Sequence, residues 1–467
     1  MSDLNRTMKA IQRREFLKRS GGGFGMLALS SLLNSGQALG TTVPVSVPKI
    51  GKAKSVIWLF MNGGPSGLDL FSHKPALEKW HDKRFPGSIE TLFPHPGPIM
   101  KSPFKFQRHG ESGLPVSELY PNIAKHVDDI AFLNACSCHS HNHVPACYMV
   151  NCGISKIGAP CLGSWASYGL GSGNEDLPSF VVMYDHRTAP EGGANLWDAA
   201  YLPGENQGVP FRASEQPILY LNRDKNISSS SQQKQLAMLQ KMNRWHANQN
   251  PNQQELLTRI NSFETAFKMQ MTAPKIVDTS NETAATKNLY GIDVEESKTF
   301  GTQLLMARKM AEQGVRFIQI YHGGYKNNWD SHGGLEKAHR GLCRETDQPI
   351  AGLLQDLKQR GLLDETLVIW GGEFGRTPTS QDKNGRDHNP YGFTMWMAGG
   401  GVKPGIAYGE TDELGYKPVE NEVTMHDLHA TVLHLLGLDH EALTHRFGGR
   451  EQSLVNGLGH VIKDLIA

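Results

Sequence analysis

The chain predicts an α/β fold with a mostly parallel sheet and helices on both faces. Three observations carry this. From residue 298 onward helix-like and strand-like segments alternate, the pattern of a parallel sheet with crossover helices. The candidate strands are continuous apolar runs, such as Leu367 to Trp370, which suits strands buried on both faces. The first and the late strand each end in a glycine turn with a polar tip: Asn62-Gly63-Gly64 after the first, Gly371-Gly372-Glu373 after the other. Ligands of open α/β sheets sit beyond the carboxyl ends of the strands, so these tips are where chemistry is expected.

In order, strands are expected at 55–61, 130–134 and 179–184, with helices at 119–126, from Pro145 to about 153, and at 162–168. Pro145 suits a first helical position. Two polar amphipathic helices, at 231–247 and 252–271, read as a helical cap or insertion at about 225–290. The alternation then runs helix 300–313, strand 316–321, helix 335–360, strand 366–370, a polar loop, strand 393–398 and helix 424–436, with Thr424 as its cap.

The 467 residues suffice for one large domain with insertions or for two domains. Lys plus Arg total 47 against 46 Asp plus Glu, so no global field points to nucleic acid. The N-terminus reads as an export signal over 1–40. Arg13-Arg14-Glu15-Phe16-Leu17-Lys18 is a twin-arginine pattern, an apolar segment follows, and Ala38-Leu39-Gly40 offers a cleavage site. The apolar part is too short to span a bilayer, and no other run is long enough. The expected partners are the twin-arginine export machinery and a substrate, with no nucleic acid and no stable membrane span after cleavage. The expected location is periplasmic or secreted. That route carries folded proteins, so the six cysteines need not form disulfides.

Four loops carry candidate chemistry: Asn62 with Ser66 and Asp69; the group His139, His141, His143; Trp329-Asp330-Ser331-His332; and Glu373, Arg376, Asp387 and His388. Asp330 and His332 are two apart, which in an extended segment aims both to one side. With His388 they suit zinc, manganese or iron. Glycines crowding these residues permit close backbone approach to a ligand. The three clustered histidines would share one face of a strand, either as a local zinc or copper site with Cys136 and Cys138 or as ordinary loop residues. His143, just before the expected helix start, is the most valuable of them, because helix N-termini favour anions. His426 and His429 precede an apolar helix and, with Asp427, are expected to cap its start and lie near the site.

Taken together, Arg13-Arg14, Phe60-Met61-Asn62-Gly63-Gly64-Pro65-Ser66, Asn142-His143, Trp329-Asp330-Ser331-His332, Gly371 to Pro378 and Gly385 to Phe393 resemble the DUF1501 family. The resemblance covers nearly the whole chain. It implies an alkaline phosphatase/sulfatase-like, three-layer α/β/α fold over 41–467, and metal-assisted hydrolysis of phosphate or sulfate esters. The implied cofactor is a divalent metal: zinc, manganese or calcium. The implied substrate is a small-molecule or polysaccharide ester. Residues 364–375 are similar to the sulfatase pattern D-N-T-L-V-I-F-T-S-D-H-G, which puts Glu373 on a metal-binding aspartate and Phe374 in place of a ligand. Asn62 falls on another metal-binding aspartate. His143 to Cys147 falls on C-x-P-S-R, so His143 stands at the nucleophile position, as metal ligand, acid/base or covalent nucleophile. Asp330 and His332 look like D-x-x-G-H-T-G with a shorter spacing, and His388 like the third ligand. Arg376 suits a clamp on phosphate or sulfate. The opposing expectation is a binding or accessory protein on this scaffold without turnover.

Overall fold

A computed structural model describes residues 51–467, apart from 175, 185–188, 214–217, 219–226, 250–259, 261–267, 270–273, 275, 277 and 325–327. The expected signal segment and most of the second insertion helix lie outside the described residues.

The strands of the central sheet and of the hairpin at its edge are β1 (Ser55–Met61), β2 (Ile130–Ser137), β3 (Phe180–Tyr184), β4 (Val209–Phe211), β5 (Phe317–His322), β6 (Thr366–Gly371), β7 (Gly375–Gln381), β8 (Gly385–Asn389), β9 (Phe393–Ala398), β10 (Ile406–Tyr408) and β11 (Val423–Thr424). The principal helices are α1 (His143–Cys152), α2 (Leu162–Leu170), α3 (Ser229–Gln249), α4 (Lys298–Glu312), α5 (Leu335–Gln359) and α6 (Met425–Leu435). Nine strands form one sheet in the order β10-β2-β9-β6-β1-β5-β3-β4, with β11 also pairing β2.

Residues of β1 alternate between two cores. Ile57, Leu59 and Met61 pack with α4 and α5 residues such as Leu304 and Leu353. Val56, Trp58 and Phe60 pack on the other face with Trp165 of α2 and Leu428 of α6. The period of two therefore sorts one strand's side chains into two helical layers, which makes a three-layer sandwich. All six cysteines are buried thiols.

Every strand pair of this sheet is parallel except those of β9, which runs antiparallel to both β2 and β6. The reason is local. A parallel return needs a long crossover, and between β6 and β9 the chain makes only the β7/β8 hairpin. That hairpin sits beyond β6, and β9 then runs back down the sheet.

The expected polar loop after Glu373 is thus a buried hairpin. Helix α1 begins earlier than expected: Asn142 accepts from Val144 N and caps it, so His143 is its first residue and Pro145 its third. His139, His141 and His143 do not share a strand face, because the chain turns at His139 (φ +57°) and enters the helix at His143. Thr424 caps α6 as expected, in a reciprocal capping box with Asp427. Helix α6 keeps its histidines for structure: His426 reaches Gly153 O and His429 reaches Val150 O.

His429 gives a stability test. It is buried, its Nε2 donates to Val150 O at 2.7 Å, and its Nδ1 has no partner. Burial pushes its pKa down from 6.5 to about 4. The folded state thus binds this proton less readily than the unfolded chain. Its contribution is intact above pH 6.5 and erodes as pH falls towards 4. The full loss is about 3 kcal/mol. Thermal unfolding measured across this range should show Tm falling with pH, and His429→Gln should make that limb shallower. An identical limb in the variant would contradict the assignment.

Candidate metal centre

Four loops at the carboxyl edge of the sheet meet beyond β1 and β6. Glycines allow the approach. A Cβ on Gly63 (φ +108°) would lie 2.7 Å from the backbone nitrogens of Trp329 and Asp330. A Cβ on Gly385 would lie 1.8 Å from His332 O, so no side chain fits there. The tip of β1 is tied to the 328–334 loop by Trp329 N donating to Asn62 O at 3.0 Å. In the hairpin His388 stands opposite Arg376, with a register shift at Asp387.

His143, Asp330, His332 and His388 bring one ligand atom each to within 4.8 Å of one another, a group that could hold a metal ion. Asp330 Oδ1 lies 2.9 Å from His332 Nε2 and 3.1 Å from His388 Nε2. Asp330 Oδ2 lies 3.4 Å from His143 Nε2. His388 is buried, whereas Asp330 and His332 are each 23% exposed, so the group reaches solvent.

The other nitrogen of every ring is anchored. Nδ1 of His143 meets Glu373 Oε1 at 2.6 Å, Nδ1 of His332 meets Gln381 Oε1 at 2.5 Å, and Nδ1 of His388 meets His141 O at 2.6 Å. All three partners accept, so each Nδ1 carries a hydrogen, and in its neutral form each ring turns the Nε2 lone pair inward. Three lone pairs then face one carboxylate. Acceptors crowded on acceptors are repulsive unless protons or a cation lie among them. His143 Nε2 is buried and makes no hydrogen bond. The donor set, three imidazoles and a carboxylate backed by acceptors, is of a kind that could hold a metal ion.

The charges agree. Burial raises the Asp330 pKa, but the neighbouring His143, His332 and His388 and the charge of Arg376 outweigh it and hold the carboxyl well below its usual range. Burial pushes His388 down to about 3 against the pull of Asp330, so it stays neutral. Burial also opposes the charge on His143, yet Asp330 and Glu373 win and raise it to about 9. A metal held by this group would have to compete with a proton for His143.

The remaining expected site residues take other places. Glu373 and Asn62 are not in the four-residue group. Glu373 is fully buried, accepts from Gly63 N at 2.9 and 3.1 Å, and orients His143 from behind. Asn62 Oδ1 accepts from Glu191 N at 3.2 Å, and its Nδ2 is buried without a partner. Arg376 is not placed as an anion clamp. It is buried and donates to the carbonyls of Gly63, Gly64, Trp329 and Arg386, and to Asp330 Oδ1 at 2.7 Å. Phe374 packs against the rings of His143 and His388 at 4.9 and 4.4 Å between centroids.

Sequence reasoning did not find Gln381, the His141 carbonyl or Glu191. Only the hairpin's pairing brings Gln381 to His332, and a glutamine in a polar stretch carries no signal of that. Behind the site Arg386 grips Asp69 at 2.8 and 3.2 Å and donates to the carbonyls of Thr377, Pro378 and Met100, fixing the hairpin.

Fold and site define a mixed α/β protein with a candidate metal centre at the carboxyl edge of a mostly parallel sheet. The chain belongs to the family described as "Protein of unknown function (DUF1501)", which it matches over residues 53–466. No curated protein matches it. Among solved structures it is similar to the alkaline phosphatase from the Antarctic bacterium TAB5, at 10% identity and TM-score 0.37, over 84% of this chain and 100% of that one. It is similar to the lipoteichoic acid synthase LtaP from Listeria monocytogenes, at 8% identity and TM-score 0.38, over 89% and 79%. It is also similar to the PsFucS1 sulfatase from Pseudoalteromonas sp., at 12% identity and TM-score 0.35, over 89% and 72%. At these identities and scores the likeness carries no argument about chemistry. Among the described residues no helix is long and apolar enough to cross a membrane.

If Glu373 orients and polarises His143, Glu373→Gln should keep an acceptor but lose the charge. Divalent-metal affinity, measured by chelator competition, should then fall by about 10–100-fold. Wild-type affinity in the variant would refute that role.

Proposed function

We propose that this protein is an exported metal-dependent hydrolase of phosphate or sulfate esters that works without a serine or cysteine nucleophile. The observation that carries the reading is the convergence of three Nε2 lone pairs and Asp330 at a solvent-reaching edge, with every Nδ1 anchored. His143, His332, His388 and Asp330 would hold the ion. A divalent metal there supplies Lewis acidity and a bound water acidified towards neutral pH.

The chain's own groups support the rest. Glu373 and Gln381 keep two imidazoles in the ligating tautomer, and Arg376 keeps Asp330 aimed inward. With Nδ1 on Glu373 and Nε2 among the ligands, His143 acts as a ligand rather than a nucleophile. Cys147 is buried on α1, and burial raises its thiol pKa well above the ordinary value. Ser66 is buried and donates to Asp69 Oδ2 at 2.5 Å. Neither is free to attack an ester. Glu191 is half-buried, and burial together with the like charges of Glu373 and Asp330 raises its pKa against the pull of His143.

A second reading has its own support. Four protein ligands complete a tetrahedron, the arrangement of a structural zinc site, so a binding or accessory protein with no turnover fits the same residues. The metal content of purified protein and its turnover of 4-nitrophenyl phosphate and 4-nitrophenyl sulfate separate the two. The hydrolase reading expects about one ion per chain and turnover of one ester, both lost in Asp330→Ala and His332→Ala while circular dichroism stays unchanged. Metal without turnover supports the binding protein, and no metal under zinc, manganese or iron supplementation refutes both.

Export is proposed from Arg13-Arg14. Fractionation should find the wild type outside the cytoplasm and the Arg13→Lys, Arg14→Lys double variant retained inside. Equal export of both would refute a twin-arginine route.

A further inference from the structure

Beside the metal group lies a cleft of about 620 Å³. One wall is the segment 93–100 and the other is the tip of the β7/β8 hairpin. The walls are built rather than incidental. Gly97 N donates to Ser380 O at 3.0 Å, Ser380 N to Pro98 O at 2.8 Å, and Met100 N to Pro378 O at 2.9 Å, laying the segment alongside β7. A Cβ on Gly97 would stand 2.4 Å from Ser380 Oγ, so the close approach needs glycine. Asp82 N donates to Ile99 O and Ile99 N to Lys83 O, tying the floor to the preceding turn.

The cleft shares its inner wall with the metal group. Gln381 lines it and holds His332 Nδ1. Asp387 lines it too, accepts from Phe93 N at 3.1 Å and approaches His332 Nδ1 at 3.9 Å. The Phe93 ring is 47% exposed and stands edge-on to the His332 ring at 5.2 Å. A molecule in the cleft therefore lies one side chain away from a proposed metal ligand.

The lining selects a chemistry. The Phe93 face and Pro94, Pro96 and Pro98 offer flat C–H surface. Around them stand hydrogen-bonding groups, among them Asp82, His95, Asp382 and Lys383. A purely apolar ligand would strip water from these groups without replacing it, which is costly. A polyanion would meet three aspartates, Asp82, Asp382 and Asp387, against the single lysine Lys383. A neutral sugar fits both demands: its ring has an apolar C–H face and a rim of hydroxyls that donate and accept.

We propose that this cleft binds a neutral carbohydrate unit of the substrate, holding it so that an ester on or next to that unit reaches the metal group. This rests on the hydrolase reading above. The test is retention of metal-loaded protein on an array of neutral and polysulfated oligosaccharides, with metal content measured on the same samples. The wild type should be retained by neutral glycans. Phe93→Ala, at a partly exposed position, should weaken retention by about tenfold, the size of one aromatic contact, with metal content unchanged. Retention by polysulfated glycans only, no retention at all by metal-loaded wild type, or equal retention of Phe93→Ala would each overturn the proposal. Retention by protein that takes up no metal would uphold the cleft and defeat the hydrolase reading instead.

Discussion

The site depends on a charge pair whose guanidinium is buried. The Arg376 guanidinium is sealed beneath the hairpin, and its hydrogen bond to Asp330 Oδ1 at 2.7 Å aims that carboxylate at the three imidazoles. A buried guanidinium is tolerated only where its donors are met. Here the carbonyls of Gly63 and Gly64 from the tip of β1, Trp329 from the loop after β5 and Arg386 from β8 meet them. One side chain thus joins three separate stretches of chain. The same hairpin register that buries Arg376 sets His388 opposite it, so the pin and one proposed ligand are placed together.

Above that pin the rings are held by their backs. Glu373, Gln381 and the His141 carbonyl each fix one Nδ1, and the inward side is left as acceptors facing acceptors. In a low-dielectric site this arrangement is stable with protons or with a cation. Burial and the charges of Arg376 and His143 work against a proton on His388, whereas His143 takes one readily. Fold alone does not settle chemistry. The weight of the functional reading rests on these donor orientations rather than on likeness to phosphatases or sulfatases.

Much of this was legible in the sequence. Apolar runs ending in glycine and a polar tip marked β1 and β6, and the D-x-H pair with glycines around it marked Asp330, His332 and His388. His143 was visible through its nearness to a helix start. The hairpin was not, for a physical reason. Its first strand reads Gly375-Arg376-Thr377-Pro378-Thr379-Ser380-Gln381, with no apolar alternation. It is buried because its polar groups bond one another and the neighbouring loops, and burial of that kind leaves no hydrophobic period to read. The positions of Glu373 and Arg376, behind His143 and beneath Asp330, were not legible for the same cause. Which polar residue ligates and which one supports depends on contacts hundreds of residues apart, such as Gly63 with Glu373.

The central claim is that three Nε2 atoms and Asp330 bind one divalent ion. X-ray absorption fine structure of the protein loaded with zinc reads that shell directly. The account predicts three imidazole nitrogens at about 2.0–2.1 Å with carboxylate oxygen at a similar distance, and no sulfur. A shell without imidazole scattering, or one containing sulfur at about 2.3 Å, would contradict it.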